Sequence, residues 1–143
     1  MINTSLIMPE ISLAGYHVVT NNMFDKNEQP LMTIGKTSVA FNRTTFSTLN
    51  NCDYVRILIN EDLSILVIPT TSKEPESINW KKALSKHGKL QCPEFTTILH
   101  RLWKLEPDKR YRAYGQLVQA DHKIMLLFTF KNPEIWIGRN KVK

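Results

Sequence analysis

The chain has 143 residues, 42% of them hydrophobic and 22% charged, and carries a formal net charge of +6. That balance is ordinary for a soluble globular protein, and the length suits a single compact domain over 1–143 or two small units sharing one core. No run reaches the roughly 18 apolar residues of a membrane span, and the opening MINTSLIMPE lacks the basic start and long apolar core of a signal peptide. Cys52 and Cys92 fit a reducing cytoplasm; each lies beside apolar residues, so buried thiols are expected.

In chain order, Met1–Glu10 reads as loose. Gly15-Tyr16-His17-Val18-Val19-Thr20 predicts a short strand ended by Asn21-Asn22, and Asp25–Pro30 a polar turn. Leu31–Ile34 predicts a further strand, leading through Gly35-Lys36 into Val39–Pro69, the stretch that organises the rest. There Val39-Ala40-Phe41 is apolar, and Thr44–Leu49 is long enough for a short helix with Phe46 and Leu49 on one face. Tyr54–Ile59 is β-branched and aromatic, which suits a strand. Asn60-Glu61-Asp62 is turn chemistry, because Asn and Asp tolerate left-handed backbone and bond their own main chain. Ile65–Ile68 is the returning strand, with Pro69 expected to stop it. The segment ahead of Val39 is expected to add strands or cover a sheet edge, since an open edge invites aggregation.

This order resembles the swapped-hairpin DNA-binding family of AbrB and the MazE-type antitoxins. The family core is Gly, a basic residue, three mostly apolar residues and Pro, then a short helix ending in Leu and a two-stranded hairpin. Phe41-Asn42 stands at the apolar–Pro position, and Leu49 falls seven residues after Asn42. Asn42 replaces Pro, no Gly follows Leu49, and Gly35 sits two residues early. Gly88-Lys89-Leu90-Gln91-Cys92-Pro93 repeats the motif with the family's spacing and with Lys89 in the basic slot. Glu94–Trp103 follows as a helix with Phe95, Ile98, Leu99 and Leu102 on one side. Tyr111–Val118 and Ile124–Phe128 form a second hairpin turning at Ala120-Asp121-His122. Thr44-Thr45-Phe46 recurs as Thr96-Thr97-Ile98, 52 residues later, the spacing expected of a structural repeat.

The resemblance therefore implies a β-rich α+β fold of two tandem strand–helix–hairpin units, fused into one swapped-hairpin-like barrel. Its first half is 31–69 and its second 88–130, joined by a linker, 70–87. The linker opens with the polar TTSKEPES, and Ser77 is placed to cap a short helix, Ile78 to Ser85, closed by His87-Gly88. Phe41, Phe46, Leu49, Val55, Ile57, Ile65, Val67, Leu99, Leu102, Leu117, Leu126 and Phe128 are the expected core.

Charge is unevenly spread. Residues 1–79 hold five basic side chains against eight acidic, and residues 80–143 hold fourteen against five. The asymmetry points to a polyanionic partner met mainly by the second half, or else to a solvated basic surface. Trp80 is flanked by Lys81, Lys82 and Lys86: its ring either holds those lysines over phosphate or is a core anchor beneath solvent-facing cations. Arg139, Lys141 and Lys143 read as a disordered basic tail able to touch phosphate.

Catalytic patterns are not found. His17, His87, His100 and His122 are dispersed, and His87, Cys92 and His100 have irregular gaps for a zinc site. Gly35-Lys36-Thr37 lacks the rest of a phosphate loop, and Glu61-Asp62 lie in a turn. No enzyme activity, metal or cofactor is expected. The expected function is a cytoplasmic DNA-binding regulator contacting duplex DNA through a basic face, as monomer or homodimer. The resemblance implies Lys89 and Arg43 as DNA contacts, with Lys36 near the equivalent slot; Lys81, Lys82 and Lys86 are added from charge alone. Lysines suit phosphate, whereas the Arg43 fork suits guanine. The alternatives are a protein-binding, antitoxin-like adaptor, shown by an exposed apolar patch; an RNA binder, shown by exposed Trp103, Tyr111 and Tyr114; and an enzyme, shown by a pocket with perturbed titratable groups.

Overall fold

The computed structural model describes residues 8–19, 29–83 and 88–143. The regular elements run β1 (Leu31–Ile34), β2 (Ser38–Phe41), α1 (Arg43–Thr48), β3 (Tyr54–Ile59), β4 (Ser64–Thr70), α2 (Trp80–Ala83), β5 (Lys89–Gln91), α3 (Pro93–Trp103), β6 (Arg110–Ala120), β7 (Lys123–Thr129), β8 (Glu134–Ile137) and β9 (Asn140–Lys141). The protein is β-rich with a few helices. Its strands join in the order β3-β4-β7-β6-β1-β2-β5, with β8 on β6 and β9 on β8, and the antiparallel sheet curls into a half-barrel.

The curl is made by β6. Its first half, from Arg110 to Tyr114, pairs with β1 and β8; its second, from Gly115 to Ala120, pairs with β7. One strand thus belongs to two wings: sheet A (β5, β2, β1, β6, β8, β9) and sheet B (β3, β4, β7, β6). Gly115 sits at the change of wing. A Cβ there would lie 2.7 Å from the Phe128 ring, so only glycine lets that ring close against the backbone.

Strand alternation fills the concave side. Met32, Ile34, Val39 and Phe41 point inward from β1 and β2, and Val55, Ile65, Val67, Leu126 and Phe128 from sheet B. Trp80 is fully buried at the centre, with ring centroids 5.4 Å from Phe41 and 4.4 Å from Phe46. Its Nε1 donates to the Cys52 carbonyl at 2.8 Å, so the one polar atom of the ring is satisfied. The core-anchor reading of Trp80 is the one the fold adopts.

α1 is short and firmly capped. The Asn42 side-chain oxygen accepts from Thr45 N at 3.0 Å and from Leu31 N at 3.0 Å, and its amide donates to the Gln29 carbonyl at 2.7 Å. Asn42 N also donates to the Leu31 carbonyl at 3.1 Å, which a proline there would forbid. α3 begins instead with Cys92 at the cap and Pro93 inside the first turn, where its missing N–H costs nothing. By cap position, Pro93 corresponds to Arg43 rather than to Asn42.

Several sequence expectations are corrected. No strand forms over Gly15–Val19: Ala14 and Gly15 make a turn, the residues after it are irregular, Thr20 lies outside the described residues, and Ile11, Leu13, Tyr16 and Val18 are exposed. β4 runs through Pro69 to Thr70; β7 covers only Ser64–Val67, so β4 is an edge where the proline sits and no ladder bond to β7 is lost. The linker helix is α2, Trp80–Ala83; Ile78 instead bridges to Val55, and the Ser77 hydroxyl donates to the Thr71 carbonyl at 2.8 Å rather than capping. Ser85, Lys86 and His87 lie outside the described residues.

α3 turns a different face inward from the one periodicity gave: Thr96, Leu99 and Trp103 are buried, and Ile98 and Leu102 are each 42% exposed. Leu117 is 51% exposed, because its partner Leu126 already closes the core and Leu117 lies beyond its edge. Trp103 and Tyr111, expected at the surface for RNA stacking, are buried: Trp103 Nε1 donates to the Asn60 carbonyl at 2.9 Å, and the Tyr111 hydroxyl accepts from Glu106 N at 3.0 Å. The carboxyl terminus is not a loose tail. β9 pairs with β8, and Val142 N donates to the Ile135 carbonyl at 2.8 Å.

Candidate nucleic-acid interface

The convex face of sheet A groups the basic side chains Lys89, Arg110, Arg112 and Lys141, with Glu134 among them. Residues directly opposite in antiparallel strands point to the same side. Lys89 opposes Ala40, Ala40 opposes Thr33, Thr33 opposes Arg112, and Arg112 opposes Glu134. The inward residues beside this row, Val39, Met32 and Tyr111, are buried, so the row faces out. One step along, Arg110 opposes Trp136 and Trp136 opposes Lys141.

The result is a shallow groove. Its floor is Thr33, Gly35, Ser38 and Ala40, all small, and its walls are Lys89 on one side and Arg110 and Arg112 on the other; the cavity is about 170 Å³. Lys89 and Arg112 stand on strands three spacings apart, roughly 14 Å at the usual interstrand distance. Arg112 stacks its guanidinium 4.8 Å from the centre of the Trp136 ring, and its Nε is buried without a hydrogen-bond partner. Arg110 donates to the Gly138 carbonyl, which holds its side chain along the β8–β9 turn. Lys141 pairs with Glu134 at 3.8 Å, and Tyr114, on the same face of β6, is 51% exposed.

Two held guanidinium groups and a lysine around an uncharged floor have the chemistry to bind an extended anionic chain. Stacking on Trp136 orders the Arg112 fork before any ligand arrives, so less side-chain entropy is lost on binding. Planar guanidinium forks bind phosphate through paired N–H donors.

Of the six residues proposed from sequence, Lys89 lines this groove. Lys36 is exposed on the β1–β2 turn beside it, and Arg43 is exposed at the first position of α1. A cation at a helix start opposes the helix dipole, so stability does not explain Arg43. Lys81 pairs instead with Asp53 at 3.3 Å. The side chain of Lys82 and the whole of Lys86 lie outside the described residues. Arg110, Arg112 and Trp136 are not singled out from the sequence, and Lys141 is read there only as part of a loose basic tail. Their signal is the alternation Arg110-Tyr111-Arg112-Ala113-Tyr114, which as a strand sends both arginines and Tyr114 to one face and Tyr111 and Ala113 to the other.

An apolar cavity of about 440 Å³ lies elsewhere, between Val39 and Leu90 on one side and Ile57, Ile59, Ile78 and Phe95 on the other. Cys92 is its titratable group, and burial pushes that thiol above its ordinary value, as it does for Cys52. Both are half-buried free thiols. Among the described residues no cluster of His, Cys, Asp and Glu is arranged to hold a metal, and no helix is long and apolar enough to cross a membrane. No family model matches the sequence, and neither a curated protein nor a solved structure matches it significantly.

Proposed function

We propose that this protein is a non-catalytic, cytoplasmic DNA-binding regulator that lays the convex face of sheet A against duplex DNA. The observation that carries the reading is the grouping of Lys89, Arg110 and Arg112 around a floor of small residues. Lys89 is the basic residue of the family-like Gly-Lys pair, and the strand register sets it opposite two arginines far away in sequence.

The proposed architecture is a fused pair of swapped-hairpin halves. The series β2-α1-β3-β4 and β5-α3-β6-β7 have the same element order. Two cross-pairings support the reading: Val39 of β2 opposes Leu90 of β5, and Val67 of β4 opposes Leu126 of β7. The buried helix threonines are Thr45 and Thr96, which are 51 residues apart, as are Val39 and Leu90. The offset between halves is thus one residue less than the Thr-Thr repeat gave. Because the halves differ in loop and helix length, the bound site need not be a symmetric palindrome.

In this reading lysines and the groove arginines supply phosphate affinity, and Arg43 reads a base. The test is titration of labelled duplexes with the wild type, with Lys89→Gln/Arg110→Gln/Arg112→Gln, and with Arg43→Ala. The triple variant should lose affinity for every sequence alike. Arg43→Ala should lose about 1–3 kcal/mol on the preferred site and little elsewhere. A triple variant that binds like the wild type removes the groove from the account.

A second reading has its own observation. The convex face of sheet B sets Leu58, Leu66 and Leu127 in one cross-strand row, with Ile68 and Val118 beside it, and Leu58 is 41% exposed. An apolar sheet face of this kind suits a protein partner or a second copy. Co-purification of a partner that is lost on Leu58→Asp, with no duplex binding by the wild type, selects that reading.

A further inference from the structure

The sheet path ends at β3 and β5, and the half-barrel is open between them. Both edges line the apolar cavity of about 440 Å³: Ile57 and Ile59 from β3, Leu90 from β5 and Val39 from β2, with Ile78 and Phe95 completing the wall. At one end Ile78 already pairs with the outer edge of β3. Val55 N donates to the Ile78 carbonyl at 3.0 Å, and Ile78 N to the Val55 carbonyl at 2.7 Å.

That bridge fixes which backbone groups of β3 face outward. Bonded and non-bonded pairs alternate along an antiparallel ladder. Val55 gives both of its bonds to Ile78, and Pro69 opposite it on β4 has no N–H to offer. By the alternation, Ile57 and Ile59 also turn their N–H and C=O away from β4, toward the opening. On β5 the bonds of Gly88 to Phe41 and of Cys92 to Thr37 bracket Leu90, so Leu90 bonds β2 and Gln91 turns its backbone outward. A backbone edge beside an apolar cavity suits an added extended strand, whose main chain bonds the edge while alternate side chains fill the cavity. A small apolar ligand would leave the edge groups unmatched.

The chain carries a segment with that chemistry. Every residue from 8 to 19 is exposed, and Tyr16 is 72% and Val18 85% exposed. Ile11, Leu13 and Val19 add to the same exposed apolar stretch. In an extended chain Tyr16 and Val18 share one face. Residues 16–19 would reach about 13 Å, long enough to pass both Ile57 and Ile59. A segment able to reach the opening of its own chain would dock there at high effective concentration. The single chain leaves it exposed, so the occupant comes from another molecule. We propose that residues 16–19 of a second copy add as a strand along the free edge of β3, with Tyr16 and Val18 in the cavity. The exchange is reciprocal and gives a two-fold dimer.

The test uses the full chain. Sedimentation equilibrium of the wild type should show a monomer–dimer equilibrium. Tyr16→Asp/Val18→Asp, at two exposed positions, should weaken it about a hundredfold or more and leave the far-UV spectrum unchanged. A wild type that is monomeric at every concentration, or a dimer that the double variant leaves intact, overturns the proposal. Val18→Cys locates the segment. With oxidised glutathione it should form a disulfide to Cys92 of a second copy, because Cys92 is a free thiol lining the cavity, and run as a covalent dimer. Adding Cys92→Ser should abolish that band while Cys52 remains as the control thiol. No band, or a band that survives Cys92→Ser, overturns the seating of the segment. A disulfide formed within one chain, seen as a faster-running monomer, overturns the second copy as the occupant.

Discussion

Gly88 shows how one residue ties β5 to β2, far earlier in the chain. It has φ +73°, and a Cβ there would stand 2.4 Å from the Phe41 carbonyl oxygen. Phe41 N in turn donates to the Gly88 carbonyl at 3.0 Å. Gly88→Ala must therefore move backbone and hold an L residue in left-handed space, a strain of about 1–3 kcal/mol before any clash is counted. The melting temperature should fall clearly, and an unchanged melting curve would show that this junction is loose. The glycine was legible as part of a motif; its physical cause, a contact with a strand 47 residues earlier, was not. The cysteines belong to the same scale. Burial raises both thiols, so the folded state holds those protons more tightly than the unfolded chain. Their contribution to stability is full below the ordinary thiol value of about 8.5 and declines as pH rises above it. Alkylation at pH 8 should be slower in the native protein than in urea, and equal rates would mean that the thiols are freely exposed.

Elements were read with uneven success. The first hairpin was legible because Tyr54–Ile59 and Ser64–Thr70 are β-branched runs around Asn-Glu-Asp, and Leu63 takes the left-handed backbone there with φ 62°. α3 was legible in extent but not in facing. Its apolar residues form a broad stripe, and what chooses among them is Trp103, whose ring packs 5.8 Å from Phe130 far along the chain. The carboxyl-terminal strands were missed because four and two residues carry too little pattern; they exist by pairing onto β6. α1 gives the sharpest element-level prediction. With six residues it cannot stand alone, and Asn42 satisfies backbone donors of α1 and β1 together. Asn42→Ala should cost about 0.5–2 kcal/mol for the cap, while the Leu31 N–H keeps the Thr45 hydroxyl as an acceptor at 3.2 Å. Asn42→Asp keeps the acceptor but sets a carboxylate oxygen against the Gln29 carbonyl that the amide now donates to, so it should recover only part of the loss. Equal melting temperatures for the wild type and Asn42→Ala would remove the cap from the account.

At the scale of the molecule, the charge asymmetry between the halves was legible from counting, but its geometry was not. The basic face draws Lys89 from β5 and two arginines from β6, which become neighbours only because β2 and β1 lie between them. Lys81, favoured by charge alone, is partnered by Asp53 at the surface. Trp80 anchors the fold beneath them; Trp80→Ala should cost about 3–5 kcal/mol, a large part of a stability of about 5–15 kcal/mol. Loss of the fold in that variant is expected on thermal melting, whereas a near-native melting temperature would place the centre of the core elsewhere. The central claim is that the convex face of sheet A holds duplex DNA through phosphate. Its most direct test is the salt dependence of duplex binding by the wild type and by Lys89→Gln/Arg110→Gln/Arg112→Gln. The account predicts an affinity that falls steeply with salt, with a slope of about 0.9 per phosphate contacted, and a triple variant whose slope is lower by about three contacts. A wild type that does not bind duplex DNA at low salt, or a triple variant with an unchanged slope, would contradict it.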